Sequence, residues 1–217
     1  MGLKLAPQKG CRVLIWLANQ DPNSTDPATL TTYDPTAAVY ADMNICVDIV
    51  LTEGTDFWTG SIFDYRLVFV DTASTNPSWW ADLNYTGTPP NWRGRIVLVS
   101  EGNTANIDDH YTWVNGLTGV TGLTVDNAID SGDGSFETDD LTTGCTDPLE
   151  TNNAQTTVSG GTTLSLTTTD DTTPIMTHNE VETIDWILSG DSNVFFEFTA
   201  DPDNERLLQN LWTVALP

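Results

Sequence analysis

The sequence predicts an α/β fold with an open, mostly parallel sheet and helices on both of its faces. Three apolar runs carry this prediction: Val13–Leu17, Leu67–Val70 and Ile96–Val99. Each run is apolar at successive positions, so both faces of the strand must be covered, which is typical of parallel sheets. The chain has 217 residues, the length of one domain, so a single domain over residues 1–217 is expected.

Further elements follow from the placement of apolar residues, Pro and Gly. Asp34 and Pro35 favour a helix start, because Asp caps helices and Pro fits their first turn. Asp201 and Pro202 favour another start, before a helix with a Leu-rich stripe. The predicted strands are residues 11–18, 47–52, 66–71, 95–100 and 181–188, and the predicted helices are residues 35–45, 106–117 and the segment from 201.

Residues 126–173 differ in composition from the rest of the chain. Asp, Gly, Ser and Thr predominate there, and the pieces that favour a strand are residues 123–125 and 157–166. We expect an Asp/Thr-rich, partly β insertion on the surface of the domain, with a β-hairpin about Gly160 and Gly161.

The chain is strongly acidic, with 31 Asp and Glu against 7 Lys and Arg and a formal net charge of -24. Such a charge repels itself unless counter-ions screen it, and the Debye length falls to about 3 Å at 1 M salt. The composition resembles that of halophilic proteins, so a saline environment is expected. Nucleic acid is not an expected partner, because phosphate binding needs a basic surface.

The N-terminal residues contain no apolar stretch of signal-peptide length, and no segment has the length of a membrane span. A leader and membrane insertion are therefore not expected. The three cysteines, Cys11, Cys46 and Cys145, lack metal-binding spacing. Cys11 and Cys46 are expected to be small core residues near strand starts, and a disulfide between them is the alternative.

Two C-terminal segments carry a family resemblance. The first is Gly190-Asp191-Ser192-Asn193, and the second runs from Asp203 to Trp212 with a Leu-rich face. Together they resemble the closing segment of class I glutamine amidotransferase-like domains, including the trehalose-utilisation type. Residues 64–70 and 92–99 look like the third and fourth strands of that family's sheet. The resemblance covers about 11–120 and 181–217 and implies a flavodoxin-like sheet with 126–173 as an insertion.

The resemblance also locates the family's nucleophile position. In catalytic members, the strand that matches residues 95–100 runs into a sharp elbow that carries a Cys. Here the elbow reads Ser100-Glu101-Gly102-Asn103, and Glu101 stands in place of the nucleophile. The resemblance therefore implies a scaffold that has lost the catalytic Cys, and no catalytic residue is expected.

One enzymatic alternative uses Ser100 as a nucleophile. Serine needs a base within hydrogen-bond reach and a third group that orients the base. The two histidines of the sequence, His110 and His178, are the candidates for that base. The competing interpretation is a solvated His110 beside Asp108 and Asp109, and a solvated His178 in a polar turn.

A second alternative is a cation or ligand pocket at the carboxyl ends of the strands. Ligands gather there in open parallel sheets, and Ca²⁺ or Mg²⁺ needs several convergent oxygen ligands. The competing interpretation is ordinary polar loop residues. The candidate pocket residues are Asp21, Asp71, Glu101, Asn103, Asp191 and Asn193.

Eight tryptophans are many for a chain of this length. Four of them are candidates for contact with protein partners, because aromatic side chains in loops anchor interfaces. The competing interpretation is local core packing. These four are Trp58, Trp79, Trp80 and Trp92.

The sequence-based expectation for function is a non-catalytic structural protein that assembles with other protein subunits. High acidity, the absent catalytic Cys and the absent leader together favour a virion component, such as a capsid or tail protein of a virus from a saline environment. A cytoplasmic location is the alternative to the virion. The alternative function, from another class, is a hydrolase-like enzyme or a carbohydrate-binding module that uses the pocket at the strand ends.

Overall fold

A computed structural model describes most of the chain. The described residues are 11–17, 33–51, 60–71, 73, 75–77, 79–83, 92–100, 107–130, 132–146, 148–151, 155–196 and 200–217. Within these residues the chain forms a large, mostly parallel sheet with helices, as the sequence predicts.

Ten strands are present in the described residues. They are β1 (Val13–Leu17), β2 (Val47–Leu51), β3 (Leu67–Asp71), β4 (Gly94–Val99), β5 (Thr124–Asp130), β6 (Gly134–Phe136), β7 (Gln155–Ser159), β8 (Thr162–Thr167), β9 (Pro174–Val181) and β10 (Ile184–Ser189). Eight form one open sheet in the order β2-β1-β3-β4-β10-β9-β8-β6, and β5 pairs with β7 in a small second sheet. The first five strands of that order are parallel, and the other three are antiparallel to their neighbours.

The helices are α1 (Asp34–Asp42), α2 (Ile107–Gly116), the single-turn α3 (Thr118–Thr121), the single-turn α4 (Asn193–Phe196) and α5 (Pro202–Thr213). Helix α5 begins as predicted, because the Asp201 carboxylate accepts the backbone N–H groups of Asp203 and Asn204. None of the helices in the described part is long and apolar enough to span a membrane.

Two hydrophobic cores lie on opposite faces of the sheet. Alternate residues along each parallel strand point to opposite faces, so Leu14 and Trp16 join one core while Val13, Ile15 and Leu17 join the other. The first core contains buried residues of α2, and the second contains buried residues of α1 and α5. This double coverage explains why the central strands are apolar at every position.

The prediction of one strand over residues 181–188 is corrected by the structure. The structure has a hairpin instead, in which β9 and β10 pair antiparallel on either side of Glu182 and Thr183. Glu182 has a positive φ of 57°, as a tight turn requires. Sequence periodicity merged the two strands, because the apolar run of β10 is obvious and the polar residues of β9 are not.

The insertion is also different from the prediction. It is not a surface excursion, since its strands β8 and β6 extend the main sheet beyond β9. The chain does turn at Gly160 and Gly161, which both have positive φ. The strands on either side of that turn, however, pair with β5 and β9, so they do not form the predicted hairpin. Backbone hydrogen bonds hold these strands, and composition alone does not reveal such pairing.

Cys11 and Cys46 form a disulfide, the alternative that the sequence left open. Cys11 precedes β1 and Cys46 precedes β2, so the bond joins the amino ends of two neighbouring parallel strands. Cys145 is a free thiol.

Candidate active site

Ser100 lies directly after β4, at the carboxyl edge of the parallel part of the sheet. Its backbone N–H donates to the carbonyl of Ser189 at 2.8 Å, which continues the pairing of β4 with β10 by one residue. The side chain is fully buried. The position of Ser100 is therefore fixed by the two central strands of the sheet and not by a loop.

His110 stands in the first turns of α2, and its ring reaches Ser100. The Nε2 atom of His110 lies 2.6 Å from the Ser100 Oγ. The other ring nitrogen, Nδ1, lies 2.7 Å from the backbone carbonyl oxygen of Ala73, which is two residues beyond β3. Three segments at one edge of the sheet thus meet at this imidazole.

The contact with Ala73 determines the tautomer of the His110 ring. A carbonyl oxygen accepts hydrogen bonds and cannot donate them, so Nδ1 must carry the proton. In the neutral ring Nε2 is then an acceptor, and the Ser100 hydroxyl donates to it. This is the arrangement in which a histidine acts as a general base toward a serine.

The environment keeps the His110 ring neutral. Burial lowers the pKa of His110 from 6.5 to about 4, and the hydrogen bond to Ala73 opposes this shift only in part. A neutral imidazole is the form that accepts a proton from serine. The ring is therefore neutral from mildly acidic to alkaline pH.

Aromatic rings surround His110. Tyr111 and Trp113 lie 6.1 and 6.2 Å from its ring, measured between centroids. Tyr111 is buried, whereas Trp113 is partly exposed. Trp113 also contacts Trp80 at 5.5 Å, and its indole N–H donates to the Asn76 side-chain oxygen at 2.9 Å. Ser100 and His110 are 0% and 1% exposed, so a substrate can reach their side chains only if neighbouring groups move.

The other candidate base, His178, belongs to a separate network. Its Nδ1 and Nε2 atoms each lie 3.2 Å from a carboxylate oxygen, of Asp185 and Asp139 respectively. Asp185 also binds the buried Arg95 at 2.5 Å. His178 lies in strand β9 and not in a polar turn, so the expectation of a solvated ring is corrected, and carboxylates occupy both of its nitrogens.

The predicted ligand pocket is described in part. Asp71, Asp191 and Asn193 lie at the carboxyl ends of β3 and β10, and all three are buried. Asp21, Glu101, Gly102 and Asn103 are outside the described residues, so the pocket and the elbow beyond Ser100 stay predictions. Within the described part, no three His, Cys, Asp or Glu side chains are grouped so that they could hold a metal ion.

The tryptophans proposed as partner contacts require a correction. Trp79, Trp80 and Trp92 are buried, with exposed fractions of 1%, 2% and 4%, and all three belong to the core that includes α2. They are core residues, because buried rings cannot reach another protein. Trp58 is outside the described residues.

Comparison with known proteins finds similarity of structure. No family model matches the sequence, and no curated protein matches it. Two β-galactosidase structures match, one from Bacillus circulans sp. alkalophilus (TM-score 0.55, 15% identity) and one from Rahnella sp. R3 (TM-score 0.58, 13% identity). Each match covers 93% of this chain and 30% of the β-galactosidase chain. An exo-β-1,4-mannosidase from Opitutaceae bacterium strain TAV5 also matches, with a TM-score of 0.57 and 13% identity. This match covers 98% of this chain and 37% of the mannosidase chain.

The fold resembles part of these glycosidases. The chain spans only about a third of their length, and identities of 13–15% concern the fold alone. This finding corrects the sequence-based resemblance, since the structures that match are glycoside hydrolases and not glutamine amidotransferase-like proteins. A Gly-Asp-Ser turn and a Leu-rich helix are short patterns that serve local structure. They were insufficient to assign the family.

The comparisons also overturn the expected function. The matching structures are glycoside hydrolases, which contradicts the expectation of a non-catalytic virion component, a capsid or tail protein. The acidity is a property of the surface, and the missing Cys concerns a single position of the chain. Neither property is specific for assembly.

Sequence reasoning weighed the Ser100 and His110 pair but missed Ala73. A signal for the pair exists: Ser100 ends a strand and His110 begins the following helix, and such a connection returns the helix to the same edge of the sheet. No signal exists for Ala73, because its contribution is a backbone carbonyl, which every residue has.

Proposed function

We propose that this chain is a hydrolase domain that cleaves acyl esters, with Ser100 as the nucleophile and His110 as the general base. The observation that carries the proposal is the hydrogen-bonded series from Ser100 through His110 to the Ala73 carbonyl, at 2.6 and 2.7 Å. It has the three parts that an activated serine needs: a nucleophile, a base and a group that orients the base.

The proposed reaction proceeds through an acyl-enzyme. The Ser100 Oγ attacks the ester carbonyl carbon as its proton passes to the His110 Nε2. The bond to the alcohol oxygen then breaks, and the leaving alcohol takes the proton from Nε2. Water attacks the acyl group, giving a proton to Nε2, which returns it to Oγ as the carboxylic acid is released. Throughout, the Ala73 carbonyl accepts the Nδ1 hydrogen bond and holds the ring in place.

The position of the pair in the fold supports this proposal. Ligands of open α/β sheets bind outside the carboxyl ends of the strands, near the point where the strand order reverses. In this sheet the reversal lies between β1 and β3, and Ala73 follows β3. The likeness to portions of hydrolases agrees with a hydrolytic role. If the buried serine and histidine only satisfied each other's hydrogen bonds, the protein would not hydrolyse esters.

Hydrolysis of p-nitrophenyl acetate by the purified protein tests the proposal. Ser100→Ala and His110→Gln are each expected to lower kcat/KM by at least about a hundredfold, since each removes one half of the proton transfer. Ser165→Ala is the matched control, because Ser165 is a buried serine of β8 that binds a backbone carbonyl. Unchanged hydrolysis in the Ser100→Ala variant, or absence of hydrolysis in the wild type, contradicts the proposal.

A further inference from the structure

We infer that Trp113 is the substrate-stacking residue of this site and that the substrate class is neutral acylated sugars. The inference rests on the proposed ester hydrolysis and extends it to the group that carries the ester.

Trp113 lies beside the reactive pair and is partly exposed. Of the two aromatic rings near His110, Tyr111 is buried and Trp113 is partly exposed. The Trp113 ring rests against the buried Trp80, and its N–H is bound to Asn76. The contact with Trp80 and the hydrogen bond to Asn76 fix the orientation of the Trp113 ring. The exposed part of the ring is therefore a preorganised apolar surface for a substrate.

This surface has a polar neighbour. Asn76 is exposed, and its oxygen accepts the Trp113 N–H, so its amide group sits at the rim of the ring. A sugar presents an apolar C–H face together with hydroxyl and ester oxygens. The Trp113 ring can stack on the C–H face of a sugar, and the Asn76 amide can hydrogen-bond to its oxygens. A purely apolar ester would contact only the ring.

The charge near the site favours a neutral substrate. Asp108 and Asp109 precede His110 in α2 and are both exposed. The chain as a whole carries a formal net charge of -24. Esters of phosphate, sulfate or carboxylate-bearing sugars are repelled by such a surface, and a neutral acylated glycoside is not.

The experiment compares two esters and two variants of Trp113, with a variant of Trp212 as the control. The substrates are methyl tetra-O-acetyl-glucopyranoside, which has a sugar ring, and vinyl acetate, which has none. Trp113→Ala is expected to raise KM for the glycoside about tenfold, the loss of one good stacking contact, and to raise KM for vinyl acetate by much less, so the ratio of the two KM values is the readout. Trp113→Phe keeps a ring and should restore most of the affinity. Trp212→Phe is the control, because this partly buried ring lies in α5 under Arg66.

The outcomes separate this inference from the proposed function. If the wild type cleaves both esters and Trp113→Ala changes neither, the sugar assignment is wrong while ester hydrolysis stands. If the wild type cleaves neither ester, the proposed hydrolase function fails and the inference fails with it. Binding of the glycoside to the Ser100→Ala variant, measured by tryptophan fluorescence, supports the inference only if Trp113→Ala in the same background weakens it about tenfold.

Discussion

At the scale of single residues, the structure fixes the tautomer and the charge state of His110. Its ring is buried, its Nδ1 proton is committed to the Ala73 carbonyl, and its Nε2 atom accepts from Ser100. Burial disfavours the charged form of the ring because a cation in the interior loses its hydration. The pKa of His110 therefore falls to about 4.

The low pKa of His110 predicts the acid limb of the pH profile. kcat/KM for an ester should stay level as pH falls through 6.5, the ordinary histidine value, and decline only near pH 4, where the base becomes protonated. A pH profile on p-nitrophenyl acetate checks this, with spontaneous hydrolysis subtracted at each pH. A decline centred at about 6.5 contradicts the assignment of His110 as the base.

The same shift has a consequence for stability. The pKa of His110 is lower in the folded than in the unfolded chain, so the unfolded chain binds a proton first as pH falls. The contribution of His110 to stability is therefore complete above pH 6.5 and is lost as pH falls toward about 4.

At the scale of elements, a buried network joins the centre of the sheet to the insertion and to α5. Arg95 of β4 binds Asp185 of β10 and donates to the backbone carbonyl of Leu211 in α5. His178 of β9 bridges Asp185 and Asp139, and Asp139 lies in the insertion after β6. Arg95 and Asp185 are each 1% exposed, so neither charge can turn to water if its partner is lost.

Removing one charge of the buried pair should be costly. Asp185→Asn leaves Arg95 buried without its carboxylate, and we expect a loss of about 3–5 kcal/mol in the free energy of unfolding. Urea denaturation measures the change, and the exposed Asp108→Asn is the control. A loss no larger than that of the control would mean that water reaches Arg95, contrary to the packing described.

His178 predicts a second, opposite pH effect. Burial opposes protonation of this ring, but the hydrogen bonds and negative charges of Asp185 and Asp139 outweigh burial and raise its pKa. A raised pKa means that the network is strongest with His178 charged, below pH 6.5, and loses this contribution as pH rises through the folded-state pKa. The stability difference between wild type and His178→Gln should therefore shrink as pH rises above 6.5. A difference that grows with pH contradicts the bridge.

At the scale of the whole molecule, the net charge of -24 is carried by a fold of ordinary size. Mutual repulsion among the carboxylates opposes compaction, and dissolved salt screens it. The network around Arg95 is buried and therefore little affected by salt. The salt dependence of stability should arise from the acidic surface.

Thermal melting across a salt series tests the effect of the surface charge. The midpoint should rise as NaCl increases from 0.1 to about 1 M, where the Debye length shortens to about 3 Å. A variant with Asp42, Asp140 and Asp171 all changed to Asn removes three exposed charges and should show a smaller rise. A midpoint that does not change with salt in the wild type contradicts the halophilic interpretation.

The parallel strands were predictable from the sequence because each buried strand is a continuous apolar run. Val13–Leu17 and Leu67–Val70 are apolar at each position, and a strand covered on both faces needs that pattern. Strand β8 is rich in Thr and Ser, and β6 and β9 mix polar with apolar residues. Backbone pairing positions all three strands, so their place in the sheet is a tertiary property. Trp79 and Trp80 were misplaced for the same reason, since a loop position does not reveal which core lies beneath it.

The candidate site was predictable only in part. Ser100 and His110 stood out by residue type, but their contact at 2.6 Å depends on how α2 returns to β4. The Ala73 carbonyl has no trace in the sequence. The resemblance directed attention to Glu101, while the hydrogen-bonded pair begins one residue earlier.

The central claim is that Ser100 is an activated nucleophile, and covalent labelling tests it most directly. A neutral alkyl fluorophosphonate should modify the folded protein once, with the adduct located on Ser100 by peptide mass spectrometry. The label should be absent in Ser100→Ala and strongly reduced in His110→Gln, because the hydroxyl then lacks its base. A wild-type protein that stays unlabelled while folded, or labels equally well in the His110→Gln variant, would contradict the account.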